Sequence, residues 1–345
     1  MTSSQRDTTR AAGWIMAAAA AGGLLAALAA LRTRRLYDLR GKVVLITGGS
    51  RGLGLVLARA FADEGARVAV CARDAAEIER ARAQLAARGF DVLGIACDLS
   101  DRASVEKLVR AVHAHFGRID VLVNNAGVIQ VGPMDTMTPA DYEEAMRIHF
   151  WAPLYTMLAV LPEMRQRRSG RIVNISSIGG KVSMPHLLPY CASKFALTGL
   201  SAGVRAALLR DNVFVTTVCP GLMRTGSPRN AFFKGHHRAE YTWFSISDSL
   251  PILSMGAPRA ARQIVSACKR GDAELVLPWM AKLWATAHAL APGLVTDLLG
   301  SLDRTLPDPG GIGSNRERGA RSASRLSPSP LTLFGDSAAV RNNEI

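Results

Sequence analysis

Tyr190 and Lys194 have the residue types and the spacing of an acid/base pair. Residues four apart share one face of a helix, so both side chains can reach one reacting group. A free tyrosine has a pKa of about 10, which makes it a poor proton donor or acceptor at neutral pH. A neighbouring ammonium favours the phenolate and lowers that pKa towards the working range. The pair therefore predicts proton transfer at an oxygen atom.

A glycine-rich loop at 47–54 directly follows an apolar run, Val43–Ile46, and opens a helix. Glycines let the backbone turn tightly and approach a pyrophosphate, which then lies at the positive end of the helix. The position between strand and helix predicts a dinucleotide-phosphate site. The loop residues expected to contact the cofactor are Gly48, Ser50, Arg51, Gly52, Leu53 and Gly54.

Short apolar runs alternate with helical stretches from about residue 40 to 280. Six strands separated by helices predict parallel crossovers and an α/β fold with a Rossmann-type, doubly wound sheet in one catalytic domain. Pro153 is expected to bend or divide the long helix over 140–164. Strands are predicted over 43–46, 67–71, 90–96, 119–123, 171–175 and 213–218, with a seventh over 274–277.

Several further motifs occur in the order found in the classical short-chain dehydrogenases and reductases, which the chain resembles. The loop sequence TGGSRGLG resembles that family's T-G-x-x-x-G-x-G fingerprint, and Tyr190-Cys191-Ala192-Ser193-Lys194 matches its Y-x-x-x-K. Ser177 lies thirteen residues before the tyrosine, the usual spacing. The remaining matches are Asn124-Asn125-Ala126-Gly127, Pro220-Gly221, and Cys97-Asp98-Leu99 at the position of the family's adenine-contacting aspartate.

The resemblance implies an enzyme that interconverts alcohols with ketones or aldehydes. Ser177 would hydrogen-bond the substrate oxygen, and Tyr190 would exchange the proton while the cofactor carries the hydride. The positive nicotinamide of the cofactor would act with the ammonium to lower the pKa of Tyr190. Contacts to the cofactor are expected from Asp98, Leu99, Asn125, Ala126, Gly127, Tyr190, Lys194, Pro220 and Gly221. The alternative class is a non-catalytic NADP(H)-binding sensor or scaffold at a membrane.

One position departs from the family pattern. Where the family usually has an asparagine that holds a water of the proton relay, alignment of RIHFW at 147–151 places His149. An imidazole can donate and accept hydrogen bonds, so His149 can take part in the relay, or it can be a helix histidine without a role.

The residues after the second strand favour NADP(H) over NAD(H). An acidic residue there would bind the ribose hydroxyls and repel a 2′-phosphate, but Ala72 and Arg73 occupy the place. Arg73 and Arg51 together would make a phosphate clamp. Asp74 is better placed to cap the next helix.

The N-terminal segment 11–31 has no charged side chain and is followed by Arg32-Thr33-Arg34-Arg35. Roughly 20 apolar residues just span a bilayer as a helix, and the basic flank predicts a cytoplasmic catalytic domain. We expect a membrane anchor after a short flank at 1–10, with a peripheral or soluble helix as the alternative.

Segments outside the motifs carry the substrate and assembly predictions. The aromatic-rich stretch 223–255 is interpreted as a substrate lid for lipophilic substrates. The alternative is that its aromatics only pack the lid onto the domain or form a subunit contact. GGKVSMPHLLPYCASKFAL is similar to the hydroxysteroid-dehydrogenase-like branch, which implies steroid, retinoid or fatty carbonyl substrates. The apolar segment 281–306 is either membrane-facing or a packed helix, the tail 307–345 is expected to be disordered, and homodimers or homotetramers are common in the family.

The composition excludes some classes. The net charge of +14 comes from scattered basic residues without a nucleic-acid-binding signature, so no nucleic-acid partner is expected. The five cysteines include no CxxC pair, and no metal site is predicted.

Overall fold

The computed structural model describes Met16, Gly22, Gly23 and residues 36–345. The predicted anchor at 11–31 and its flank at 1–10 lie outside the described residues, apart from those three positions. Within the described part, no helix has both the length and the apolar character needed to cross a membrane.

A seven-stranded parallel sheet forms the centre of the molecule, in the order β7-β6-β5-β4-β1-β2-β3. The order reverses between β1 and β4, which creates the crevice where open α/β sheets bind ligands. The predicted Rossmann-type sheet is thereby confirmed. The strands are β1 (Val43–Thr47), β2 (Arg67–Ala72), β3 (Val92–Ala96), β4 (Val121–Asn124), β5 (Gly170–Ile175), β6 (Val213–Pro220) and β7 (Glu274–Leu277).

Helices cover both faces of this sheet because its strands are apolar on both sides. One core contains Leu57 and Phe61 from α1 and Ile264 from α8; the other contains Val160 from α5 and Leu208 from α6. The helices are α1 (Gly52–Asp63), α2 (Ala75–Ala86), α3 (Arg102–Phe116), α4 (Pro139–Met146), α5 (Ala152–Gln166), α6 (Leu188–Leu208), α7 (His237–Ser249), α8 (Ala257–Arg270), α9 (Trp279–Leu290), α10 (Pro292–Asp303) and α11 (Leu333–Arg341).

The predicted long helix is divided at the expected place. A π-helical turn, Arg147–Trp151, separates α4 from α5. Pro153 follows that turn and has no N–H to donate to the carbonyl of His149 four residues earlier, so a regular α-helix cannot run through. The interruption places His149 in the π turn.

The segment 307–345, expected to be disordered, is folded. It contains a short strand, Glu317–Arg318, and helix α11, which packs on α7. Its serines bond to side chains of α7: the hydroxyl pairs Thr242–Ser324 and Ser245–Ser327 are 2.7 and 2.8 Å apart. The expectation of disorder assumed that the serine hydroxyls face water. In the structure the hydroxyls of Ser324 and Ser327 are bonded to hydroxyls of α7 instead.

The region 223–255 contains α7, which packs on α11 and on a short strand, Phe232–Phe233. Phe233, Tyr241 and Phe244 form a buried aromatic cluster with ring centres 5.4 and 6.0 Å apart. These aromatic residues pack inside the domain, and the role of the segment as a lid for lipophilic substrates stays a prediction. The segment 281–306 belongs to α9 and α10, and Val295 and Leu299 of α10 pack on Val182 in the loop after Ser177.

Candidate active site

Three side chains meet at the carboxyl ends of β5 and β6. Ser177 lies just after β5, and Tyr190 and Lys194 lie in the first turns of α6. The hydroxyl of Ser177 interacts with that of Tyr190, and the Lys194 ammonium lies 5.6 Å from the centre of the Tyr190 ring. Lys194 Nζ donates a 2.9 Å hydrogen bond to the carbonyl of Ile175. The structure brings together the predicted serine, tyrosine and lysine.

Burial sets the protonation of this cluster. Burial raises the pKa of Tyr190 to about 12, and the hydrogen bond with Ser177 offsets only part of that effect. Burial also lowers the pKa of Lys194 to about 7. The contribution of the ammonium to a lower tyrosine pKa is therefore not found, because desolvation disfavours the charged form of both groups. The contribution expected from a positive nicotinamide stays a prediction. The raised pKa favours the neutral phenol, which is the form that donates a proton.

His149 is fully buried beside the tyrosine, with the two rings edge to face and their centres 5.3 Å apart. The backbone N–H of Val128 donates to Nε2 over 3.1 Å, so Nδ1 carries the proton and lies 2.7 Å from Ser193 Oγ. Burial lowers the pKa of His149 well below its ordinary value. Both ring nitrogens are thus bonded to the protein, which leaves the imidazole of this neutral histidine no free nitrogen to hold a relay water.

The glycine loop is tied to the end of β4 by the predicted Asn-Ala-Gly motif. Asn125 Nδ2 donates to the carbonyls of Thr47 and Gly48, at 3.0 and 3.1 Å. The N–H of Ala126 donates to Thr47 Oγ1, and a Cβ on Gly127 would lie 3.0 Å from His149 Nε2. These bonds hold the loop against the active-site edge of the sheet.

The loop has the shape that a dinucleotide phosphate needs. A Cβ on Gly54 would collide with the Gly48 carbonyl, at 2.0 Å, so only glycine allows α1 to start this close. Gly52 has a φ of +54° and lies at the positive end of α1. Ser50 and Leu53 are buried. The loop residues fit a bound phosphate.

Other side chains lie at the same place in this structure. Glu77 of α2 accepts hydrogen bonds from Ser50 Oγ and Arg51 Nη1, at 3.1 and 2.7 Å. The Glu344 carboxylate lies over Gly52, where a Cβ would be 2.5 Å from Oε1. Sequence reasoning missed both glutamates, and Ser193 as the partner of His149, because no motif marks a contact between distant parts of the chain.

The remaining predicted cofactor residues follow the ends of β2, β3 and β6. Arg73 is exposed after β2, and Asp74 accepts the N–H of Glu77 at 2.9 Å, so its expected role as the cap of α2 is confirmed. Asp98 is exposed and Leu99 is buried after β3. At the end of β6, the N–H of Gly221, which follows Pro220, donates to the carbonyl of Leu277 over 2.6 Å.

Comparison with known proteins agrees with this geometry. Residues 42–233 match the family model described as short chain dehydrogenase. The chain belongs to the short-chain dehydrogenase family. It is 32% identical over 273 residues to dehydrogenase/reductase SDR family member 7B of Bos taurus, which covers 77% of this chain and 82% of that protein. It is 37% identical over 186 residues to galactitol 2-dehydrogenase of Agrobacterium fabrum, covering 54% of this chain and 72% of the relative.

The fold is also similar to solved structures of a short-chain dehydrogenase and a ketoreductase. A short-chain dehydrogenase from Streptomyces avermitilis superposes with a TM-score of 0.66 at 29% identity, covering 77% of this chain and 98% of that one. A variant of the actinorhodin polyketide ketoreductase with NADPH gives a TM-score of 0.62, also at 29% identity, over 69% of this chain and 95% of the other. This short-chain dehydrogenase is an NAD(P)-dependent oxidoreductase that acts on CH–OH groups.

Proposed function

We propose that this short-chain dehydrogenase uses NADP(H) to interconvert a lipophilic alcohol and its ketone or aldehyde, with Tyr190 as the acid/base and reduction as the favoured direction. The observation that carries the proposal is the cluster of Ser177, Tyr190 and Lys194 at the carboxyl ends of β5 and β6. A neutral phenol donates a proton to a carbonyl oxygen, whereas alcohol oxidation needs a phenolate.

Each side chain has a separate task in this proposal. The Ser177 hydroxyl, held by the N–H of Gly179 at 3.0 Å, hydrogen-bonds the substrate oxygen and orients it towards Tyr190. Tyr190 donates its proton to that oxygen, and Lys194 stabilises the phenolate left behind. The dinucleotide, when bound, supplies or accepts the hydride. His149 acts as a positioning residue, because its ring holds Ser193 and the Val128 backbone.

Basic groups at the glycine loop support NADP(H) as the cofactor. Arg51 and the exposed Arg73 could bind a 2′-phosphate, and β2 ends in Ala72 where an acidic residue would favour NAD(H). The Glu77 carboxylate opposes binding of a 2′-phosphate, since it accepts hydrogen bonds from Arg51 and Ser50 in this structure. We infer that a 2′-phosphate replaces these bonds.

The apolar helix pair α9–α10 supports a lipophilic substrate. Val295 and Leu299 pack on the loop that follows Ser177, and Ala281 abuts Gly221. The outer faces of the pair remain apolar and exposed, as shown by Trp279, Leu283, Leu290, Leu294 and Leu298. A greasy substrate such as a steroid, retinoid or fatty carbonyl suits an entrance next to this surface.

The segment 11–31 supports membrane anchoring with the catalytic domain in the cytoplasm, by its length and its basic C-terminal flank. The anchoring proposal rests on the sequence alone.

Assembly into a homodimer or homotetramer is proposed from the family.

The test is NADPH and NADH oxidation by the full-length protein over a panel of lipophilic ketones and aldehydes, with Tyr190→Phe as the control. We expect turnover that prefers NADPH and falls by about 10²- to 10⁴-fold in Tyr190→Phe. Dinucleotide affinity should be retained in the variant. Equal turnover by both proteins would refute the assignment of the proton donor.

A further inference from the structure

The segment Asn342–Glu344 bonds directly to the backbone of the glycine loop. The N–H of Gly52 donates to the carbonyl of Asn342 over 2.9 Å, and Asn343 Nδ2 donates to the carbonyl of Ser50 over 2.9 Å. The Gly52 N–H belongs to the first turn of α1, where helical N–H groups have no partner inside the helix. The segment therefore uses a donor that a bound phosphate would use.

The Glu344 carboxylate lies against the same part of the glycine loop as the backbone of the segment. Its side chain is 3% exposed, and its Oε2 lies 3.4 Å from Arg51 Nε. Asn230 Nδ2 donates to Oε2 over 2.7 Å, which fixes the carboxylate from the lid side. A buried acid held by an arginine at the positive end of a helix has the surroundings of a bound phosphate.

A dinucleotide and this carboxylate compete for one surface. Because Gly52 lacks a Cβ, a phosphate can approach its backbone. The Glu344 carboxylate fills that space, since a Cβ on Gly52 would lie 2.5 Å from Glu344 Oε1. No pyrophosphate can contact this backbone while the carboxylate covers it.

We propose that residues 342–344 are an autoinhibitory strap that mimics the cofactor phosphates and must leave the glycine loop before a dinucleotide binds. The proposal rests on the proposed function only in that a dinucleotide binds at this loop. The strap also contacts the lid, since Asn342 Nδ2 donates to the carbonyl of Thr225 over 3.2 Å and Asn230 bonds Glu344. Release of the strap thus removes contacts that hold the lid, so that cofactor entry and lid position are coupled.

The test compares full-length wild type with Glu344→Ala, which removes both the carboxylate and the overlap above Gly52. Glu317→Ala is the matched control, because it removes a glutamate that also lies in the C-terminal stretch 307–345 but away from the glycine loop. Titration with NADPH and with NADH gives the dissociation constants. We expect Glu344→Ala to lower the Kd of NADPH by about tenfold, because the binding-competent fraction rises, and Glu317→Ala to stay within about twofold of wild type.

Hydrogen exchange of residues 333–345 gives a second readout that does not depend on turnover. In wild type, saturating NADPH should increase exchange in this segment. An unchanged Kd in Glu344→Ala, together with unchanged protection of the segment, would show that strap and cofactor bind side by side and would overturn the proposal.

The outcomes separate the strap from the proposed function. Tight NADPH binding that Glu344→Ala does not alter, with protection of the segment also unchanged, overturns the strap and leaves the proposed function standing. Tighter binding of NADH than of NADPH, with both affinities increased by Glu344→Ala, refutes the cofactor choice and supports the strap. Absence of binding of either dinucleotide to Glu344→Ala overturns both.

Discussion

The imidazole Nδ1 of His149 lies 2.7 Å from the hydroxyl of Ser193, which itself donates to the carbonyl of Tyr190 over 2.8 Å. On its other side, the same ring accepts the N–H of Val128 over 3.1 Å. His149 thus links the end of β4 to the first turn of the helix that carries the tyrosine. From this connectivity we infer that His149 acts on the position of Tyr190 and not on its charge.

Replacing His149 by alanine should therefore damage turnover more than binding. We expect His149→Ala to lower kcat by about 10- to 100-fold, because a small displacement of Tyr190 from the substrate oxygen is costly. The Kd of NADPH should change by less than about threefold. His149→Asn, which can still accept the N–H of Val128, should recover part of the kcat.

Stopped-flow turnover and NADPH titration measure the two quantities, with His115→Ala on the exposed side of α3 as the control. If His149→Ala weakens NADPH binding as much as it lowers kcat, the ring supports the whole domain and has no specific effect on Tyr190.

Lys194→Met should stabilise the protein without cofactor in a pH-dependent way. Burial lowers the pKa of Lys194 from 10.5 to about 7, so the unfolded chain retains a proton that the folded protein releases. The wild-type free energy of unfolding consequently rises between pH 7 and pH 10.5. Below pH 7 the folded protein bears the full cost of burying the charged Lys194. Methionine removes that penalty, and we expect a gain of about 2–4 kcal/mol at pH 6 after the loss of the bond to Ile175.

Thermal unfolding at pH 6 and pH 10 checks this, with the exposed Lys107→Met as the control. The gain should be largest at pH 6 and nearly absent at pH 10, while turnover is lost at both. A gain of equal size at the two pH values would mean that the ammonium of Lys194 carries no burial penalty.

Asp248 on α7 is a second buried group that limits stability. Its Oδ2 has no hydrogen-bond partner in the described part of the chain. Burial raises its pKa from 3.8 to about 8, and the nearby Glu344 adds to the effect. The neutral carboxyl of Asp248 contributes its full share to the free energy of unfolding at pH values below 4. That contribution is lost as the pH rises to about 8, because Asp248 ionises at a lower pH in the unfolded chain than in the folded protein.

Asp248→Asn keeps the shape of the neutral acid and cannot ionise. We expect it to raise the denaturation midpoint at pH 8 and to leave it nearly unchanged at pH 4, with the exposed Asp135→Asn as the control. A midpoint that shifts equally at both pH values would attribute the effect to packing rather than to ionisation.

The parts of this molecule that sequence could predict are the local ones. The strand before the glycine loop, and the spacing of Tyr190 and Lys194, follow from runs of neighbouring residues, and the structure places them as expected. The raised pKa of Tyr190 depends on burial by the whole fold, which residue types do not record. The contact between Glu344 and Gly52 joins residues almost 300 positions apart, and a polar, serine-rich segment shows no apolar pattern that would predict its docking.

Recognition of the 2′-phosphate is predicted to depend on Arg51 and Glu77. Arg51 Nη1 lies 2.7 Å from Glu77 Oε1, so the guanidinium must exchange a carboxylate for a phosphate when NADPH binds. Arg51→Gln should raise the ratio of the NADPH Kd to the NADH Kd by about tenfold, because a charged bidentate donor is lost. Glu77→Gln removes the repulsion but keeps an acceptor for Ser50, and it should lower the same ratio severalfold.

The ratio is the informative quantity because Arg51 also lies 3.4 Å from Glu344, and loosening that contact would affect both dinucleotides alike. Calorimetric titration of each cofactor gives the ratio directly. The exposed Arg110→Gln on α3 serves as the control for a general loss of positive charge. If the ratio stays constant in Arg51→Gln and Glu77→Gln, the glycine loop does not distinguish the two cofactors, and Arg73 becomes the residue to change next.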